Sequence, residues 1–251
     1  MSGLRKLAWV EAKLFLREPL GLLISFAFPF FLFFILVGVF GNEVEANPED
    51  AEVWRNVGPS DYYVPTYVGL VVASVGLVTL PLRLADYRER GVLRRYRAAG
   101  LSVPVILGSQ VLVAAGMAIV AAAGIVTVST VLYGTVLPDS WVFVLAGSFL
   151  ALLTFCAIGV FLGAVLPSAR AVQGVGIALF FVMMLISGSG PPREVLASSM
   201  RTFSEVLPLT HANLLVQDAW LGFGWNMGRA AVTAGFLVVS SVLALRLFRW
   251  E

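Results

Sequence analysis

Six apolar runs of near membrane length, divided by short polar stretches, make the main pattern of this chain. They cover about 20–40, 64–82, 104–132, 141–166, 171–190 and 229–247. Each holds the roughly 20 apolar residues that a helix needs to cross a bilayer core, or comes close to it. The predicted fold is therefore an all-α membrane protein of six spans forming a single transmembrane domain. Pro29 interrupts the first run and predicts a kink, a break that membrane helices tolerate when neighbours satisfy the freed carbonyl. Pro65 falls in the first turn of the second, where its missing N–H costs nothing. The third run is rich in alanine and glycine, and the fourth contains Gly159-Val160-Phe161-Leu162-Gly163; small residues at these spacings allow close helix approach.

Two stretches depart from this pattern. Residues 4–18 read as an amphipathic helix lying along the membrane surface, with Leu4, Leu7, Ala8, Leu14 and Phe15 on one face and Lys6, Lys13 and Arg17 on another. Glu11 and Glu18 fall inside its apolar stripe. They either reach sideways to water or pair with the arginines described below. No small-residue cleavage site follows an apolar core, so a signal peptide is not expected. Residues 191–228 are mixed in polarity and broken by Pro208, too short in either half to span. A re-entrant pair of short helices and a helix lying on the outer surface both fit.

Charge orients the spans. Residues 83–103 carry Arg83, Arg88, Arg90, Arg94, Arg95 and Arg97 against only Asp86 and Glu89. Such a basic block between two spans marks a cytoplasmic loop. Residues 41–61 are acidic and belong on the other side, where Trp54, Tyr62 and Tyr63 suit an interfacial aromatic belt. Six spans with both ends inside place 13 of the 17 basic residues in the cytoplasm, leaving Arg55, Arg193, Arg201 and Arg229 outside. Composition agrees: 59% of the chain is hydrophobic and 13% charged, at a mean hydropathy of +0.91, where soluble domains carry about 25% charged residues. The basic isoelectric point is accounted for by topology rather than nucleic acid. The membrane implied is the plasma (inner) membrane.

The chemistry is mostly negative. Both lysines precede the first span, so no glycine-rich P-loop with its lysine is present. A single histidine, His211, excludes multi-histidine metal sites, and the lone Cys156 excludes an intrachain disulfide. The spans carry no ionisable residue at their centres, against a proton-coupled transporter. No catalytic or metal-binding residue is expected, and energy for transport has to come from a partner. The arginine block has two readings on residue grounds: a topogenic anchor at lipid headgroups, or a surface for carboxylates of Glu11, Glu18 or another subunit.

Four motifs carry a family resemblance. They are Arg17-Glu18-Pro19 after the amphipathic segment, Tyr63-Val64-Pro65 at the second span, the run ERGVLRRYRAAGLS from Glu89 to Ser102, and Leu207-Pro208-Leu209-Thr210-His211-Ala212 before the last span. In this order they resemble the ABC-2 family of ABC-exporter permeases, nearest to daunorubicin-resistance-type permeases. Ala99-Gly100 replaces the family's usual Thr-Pro, and Val92 its Thr. The resemblance implies a half-transporter pairing with two cytoplasmic P-loop ATPase subunits, which bind ATP and Mg, and with a second permease copy or homologue. It implies that residues 83–103 form the ATPase-coupling segment, through Arg83, Asp86, Tyr87, Arg88, Glu89, Arg90 and Arg94, with 4–18 as a connecting helix supplying Glu11 and Glu18. It places Ser74, Thr79, Phe180, Phe181, Met183 and Met184 along the translocation path, 191–228 as an outer re-entrant hairpin, and Pro208, Thr210 and His211 at an outer gate. The substrates implied are drug-like or lipid-like amphipathic molecules. The alternatives are a polysaccharide or glycolipid exporter and an energy-independent scaffold or scramblase.

Overall fold

The computed structural model describes residues 9–13, 19–44 and 47–247. Among them every regular element is helical. Six helices are long and apolar enough to cross a membrane. Helix α1 runs from Pro19 to Phe40, α3 is Pro59–Glu89, α5 Val103–Tyr133, α6 Trp141–Val165, α7 Ala169–Ile186 and α10 Met227–Leu247. Four shorter α-helices connect them, α2 (Pro48–Val53), α4 (Val92–Ala98), α8 (Ser198–Ser204) and α9 (Pro208–Trp220), with one 3₁₀ turn at Arg193–Val195.

Helix α3 is the centre of the bundle. Its most apolar window is 94% buried, against 22–44% for the other five, and it packs on α1, α5, α6, α7 and α9. Proline shapes both α1 and α3. Each contains one π-helical turn, Leu23–Ala27 in α1 and Val75–Thr79 in α3, closed by wide bonds from Phe28 N–H to the Leu23 carbonyl and from Leu80 N–H to the Val75 carbonyl. Pro29 and Pro81 follow these turns at the same distance. A proline ring clashes with the carbonyl four residues back, here Ser25 and Leu77, and both lie inside the widened turns. The expected disturbance at Pro29 thus takes the form of a π-bulge. The two bulges face each other and share a buried hydrogen bond, Ser25 Oγ to Thr79 Oγ1, 3.0 Å.

Glycine lets the backbones close around the α3 bulge. A Cβ on Gly159 would collide with the Gly76 carbonyl oxygen, and one on Gly176 with that of Leu77. The GxxxG run of α6 is therefore a real crossing, with Gly163 seated on Pro81 of α3.

Three sequence expectations change. The second span does not stop at 82: α3 continues through Glu89, and the chain turns at Gly91, where φ is +65°. Charge counting locates the basic block but not the helix end, because Arg83 is neutralised inside the protein. Since α3 begins at Pro59, Pro65 lies inside the helix rather than in its first turn. Trp54, Tyr62 and Tyr63 do not face outward as a belt. They pack edge-to-face on one another and on Phe40 and Tyr67, all three at most 6% exposed.

At the end of α3 opposite α4 lies α9. Its 13 residues reach only about 20 Å, too short to cross, and all but Leu214 are buried, between α3, α6 and α10.

Candidate functional site

The arginine end is built where α3 leaves the bundle. Arg83, one helical turn beyond Thr79, is 3% exposed, and Glu11 is fully buried against it. Arg83 Nη1 lies 3.4 Å from Glu11 Oε2 and donates to the Glu11 carbonyl at 3.1 Å. Tyr87, one turn further along α3, donates its hydroxyl to the same carboxylate oxygen at 2.5 Å, and Tyr96 of α4 donates to Oε1 at 3.3 Å. A buried ion pair persists only when further hydrogen bonds satisfy it, and the two phenols supply them. Burial and the Glu11 charge push the Tyr96 phenol up to about 12, which keeps it a donor. Gln110 of α5, whose Nε2 has no protein acceptor, joins Thr79 and Arg83 around a cavity of about 10 Å³. Glu18 lies outside the described residues, as does most of the amphipathic segment.

The remaining coupling candidates divide by direction. Arg88 turns inward: Nη1 donates to the carbonyls of Gly163 (3.0 Å) and Ala164 (3.2 Å), and Nη2 to that of Leu166 (2.5 Å). Glu89 accepts from the Ala169 N–H at 2.7 Å. Arg90 turns outward, 73% exposed and paired with Asp86 at 2.7 Å. Arg94, Arg95 and Arg97 are exposed on α4, which is seated by Leu93 packing with Tyr87 and Ile106. Gly91, at φ +65°, separates Arg83 and Tyr87 on α3 from Arg94 and Arg97 on α4.

Of the path candidates, five are buried within the chain. Ser74 Oγ donates to its own helix at Val71, Thr79 bonds Ser25, and Phe180, Met183 and Met184 sit in the core. Phe181 is 37% exposed and packs edge-to-face on Phe28 at 5.4 Å.

At the other end, Pro208 opens α9 and Thr210 Oγ1 donates to Ser187 Oγ at 3.0 Å. His211 bridges two groups: Nε2 lies 2.8 Å from the Glu205 carbonyl and Nδ1 3.1 Å from Arg229 Nη1. A guanidinium only donates, so Nδ1 accepts and Nε2 carries the proton. Arg229 also donates to the Glu205 carboxylate, and Arg193 Nη2 donates to it at 2.6 Å. The hydrogen bond from Arg229 is the main cause that pulls the Glu205 pKa down to about 2. Asn213 donates to Ser187 and Ser189, and Gln217 to the Tyr62 carbonyl. Arg55 reaches across from the acidic loop to Gln217 (2.8 Å) and Asp218 (2.6 Å).

A family model described as ABC-2 type transporter matches residues 3–220, nearly the whole chain. The chain belongs to the ABC-2 type transporter family. No curated protein matches it. As an ABC-2 protein it is a multi-pass permease subunit of an ABC transporter, without an ATPase site of its own, and its family works with ATPase partners. The match stops at Trp220, so α10 lies beyond it.

In this permease, sequence reasoning missed Tyr96 and Gln110 at the arginine end and Glu205, Arg193, Arg229 and Asn213 at the other. Gln110 was visible as the one amide in the third span. Nothing local marked Glu205, whose partners come from 12 and 24 residues away.

Proposed function

We propose that this permease is half of an ATP-driven exporter that moves drug-like or lipid-like amphipathic molecules outward. Two permease units, identical or homologous, work with two cytoplasmic P-loop subunits that bind ATP and Mg. The observation that carries the reading is the split of the arginines. Arg83 is tied to Glu11 inside the protein, while Arg90, Arg94, Arg95 and Arg97 stand exposed on and beside a short helix attached to the end of the central span. Exposed guanidiniums in that number suit carboxylates on a partner surface. Closure of the ATPases on ATP would push α4, and the buried Glu11–Arg83–Tyr87–Tyr96 cluster would pass the push to α3. In this reading the arginine end is cytoplasmic, with both termini on that side of the plasma membrane. Helix α9 belongs to an outer re-entrant hairpin, with Pro208, Thr210 and His211 at its gate. The path candidates, five of them buried in the single chain, serve when helices separate or a second copy joins them.

Purification of tagged permease from its native membrane in mild detergent tests this. A copurifying P-loop subunit with vanadate-sensitive ATPase activity is expected. A preparation free of ATPase across several detergents, active in scrambling lipid between vesicle leaflets, would overturn it.

A further inference from the structure

The turn joining α6 to α7 is held by two consecutive residues of α3. Arg88 places its guanidinium on three carbonyls at the end of α6, those of Gly163, Ala164 and Leu166. Glu89 places its carboxylate on the first amide of α7, that of Ala169. Each charge has the sign the helix terminus favours: a cation at a C-terminus, an anion at an N-terminus. Each also meets backbone groups that a helix end leaves unsatisfied. Ser168 caps α7 in addition, accepting from Ala171 N–H at 3.2 Å. Two residues after Glu89, Gly91 swings the chain into α4.

We infer that Arg88 and Glu89 are positioning residues rather than contacts for a partner, and that through them the 166–169 turn moves as one body with the coupling helix. A push on α4 then reaches the ends of α6 and α7 as well as α3. Backbone carbonyls gripped by three charge-assisted bonds transmit such a displacement, whereas side-chain packing alone would let the turn slide. The inference rests on the permease reading above and adds to it the route by which a second and third span are recruited.

Hydrogen exchange on the copurified permease–ATPase complex, with and without ATP, Mg and vanadate, tests it. In the natural protein, nucleotide should change exchange in both 92–98 and 166–172. In Arg88→Ala combined with Glu89→Leu, the change at 92–98 should remain and that at 166–172 should be lost. Arg88→Lys restores a cation to the α6 terminus, and Glu89→Gln keeps an oxygen for the Ala169 N–H. Both single variants should recover the response, which a general loss of stability would not do. If the double variant does not assemble, the single changes Arg88→Ala and Glu89→Leu are read the same way. A response at 166–172 that survives these losses overturns the inference, as does a natural complex responding at 92–98 alone. Absence of any copurifying ATPase is a different failure: it removes the permease reading, and the inference with it.

Discussion

The two ends of this permease use the same pair of groups, an arginine and a carboxylate, in opposite surroundings. At the arginine end Glu11 and Arg83 are at most 3% exposed, with two phenols completing the carboxylate's hydrogen bonds. At the other end Glu205 is 41% exposed and shares two arginines, Arg229, a quarter exposed, and Arg193, itself buried. Buried, a lost partner leaves a charge that nothing solvates; exposed, water replaces much of what was lost. In the proposed exporter the first pair would serve as a rigid joint at the end that transmits force, and the second as an adjustable one at the end that opens.

Breaking the buried pair from one side should be the most damaging change. Glu11→Ala removes the carboxylate that offsets the buried Arg83 charge, at a cost of about 3–5 kcal/mol, read as a large fall in melting temperature in detergent. The paired change Glu11→Leu with Arg83→Met should recover most of that stability while ATP-dependent transport stays lost. Recovery of both would reduce the joint to packing. Between the two ends, Gly159→Val forces a side chain into the α3 backbone and should cost about 1–3 kcal/mol, measured in the same melts.

At the exposed end Arg229→Ala should cost only about 0.2–1 kcal/mol, and less as salt is raised. An equal or larger loss than at Glu11 would erase the contrast between the ends. The pH dependence has a definite sign. Glu205 is held near 2 against an ordinary value of 4.5, so its contribution is complete above pH 4.5 and declines as the pH falls toward 2, where the folded carboxylate takes up its proton. Glu205→Gln should remove that slope from melts taken between pH 5 and 3. The smallest effect on stability is expected from Arg90→Ala with Arg94→Ala, within about 0.5 kcal/mol, accompanied by loss of coupling between ATP hydrolysis and transport. Unchanged coupling would leave the exposed arginines as a membrane anchor.

Much of the architecture was legible beforehand. The six spans follow from length and apolarity, and the short 191–228 helices from broken patterning. The resemblance carried by the ERG and LP-L-TH segments led to the family that the match over 3–220 bears out. Glu11 drew attention as a carboxylate in an apolar stripe, and it lies against Arg83. Less visible was the division of the arginine block. Gly91, in the left-handed region, ends α3 just after Arg90 and re-aims all that follows. Arg88 and Glu89 were expected only as part of the ATPase-coupling segment, because the partners they have here are backbone groups that every residue possesses.

By itself the sequence determined which segments are apolar enough to be membrane spans, how the basic residues are distributed among their connections, and that no nucleotide-binding loop is present. These are sums over neighbouring residues, and solvent or lipid reads them without reference to the rest of the chain. Tertiary structure alone decided which arginine is buried, that the bulges preceding Pro29 and Pro81 face each other through Ser25 and Thr79, and that Arg88 and Glu89 grip a turn some 75–80 residues away. Such choices depend on which surfaces meet when helices pack, and a pairing across that distance leaves no periodic trace in either partner.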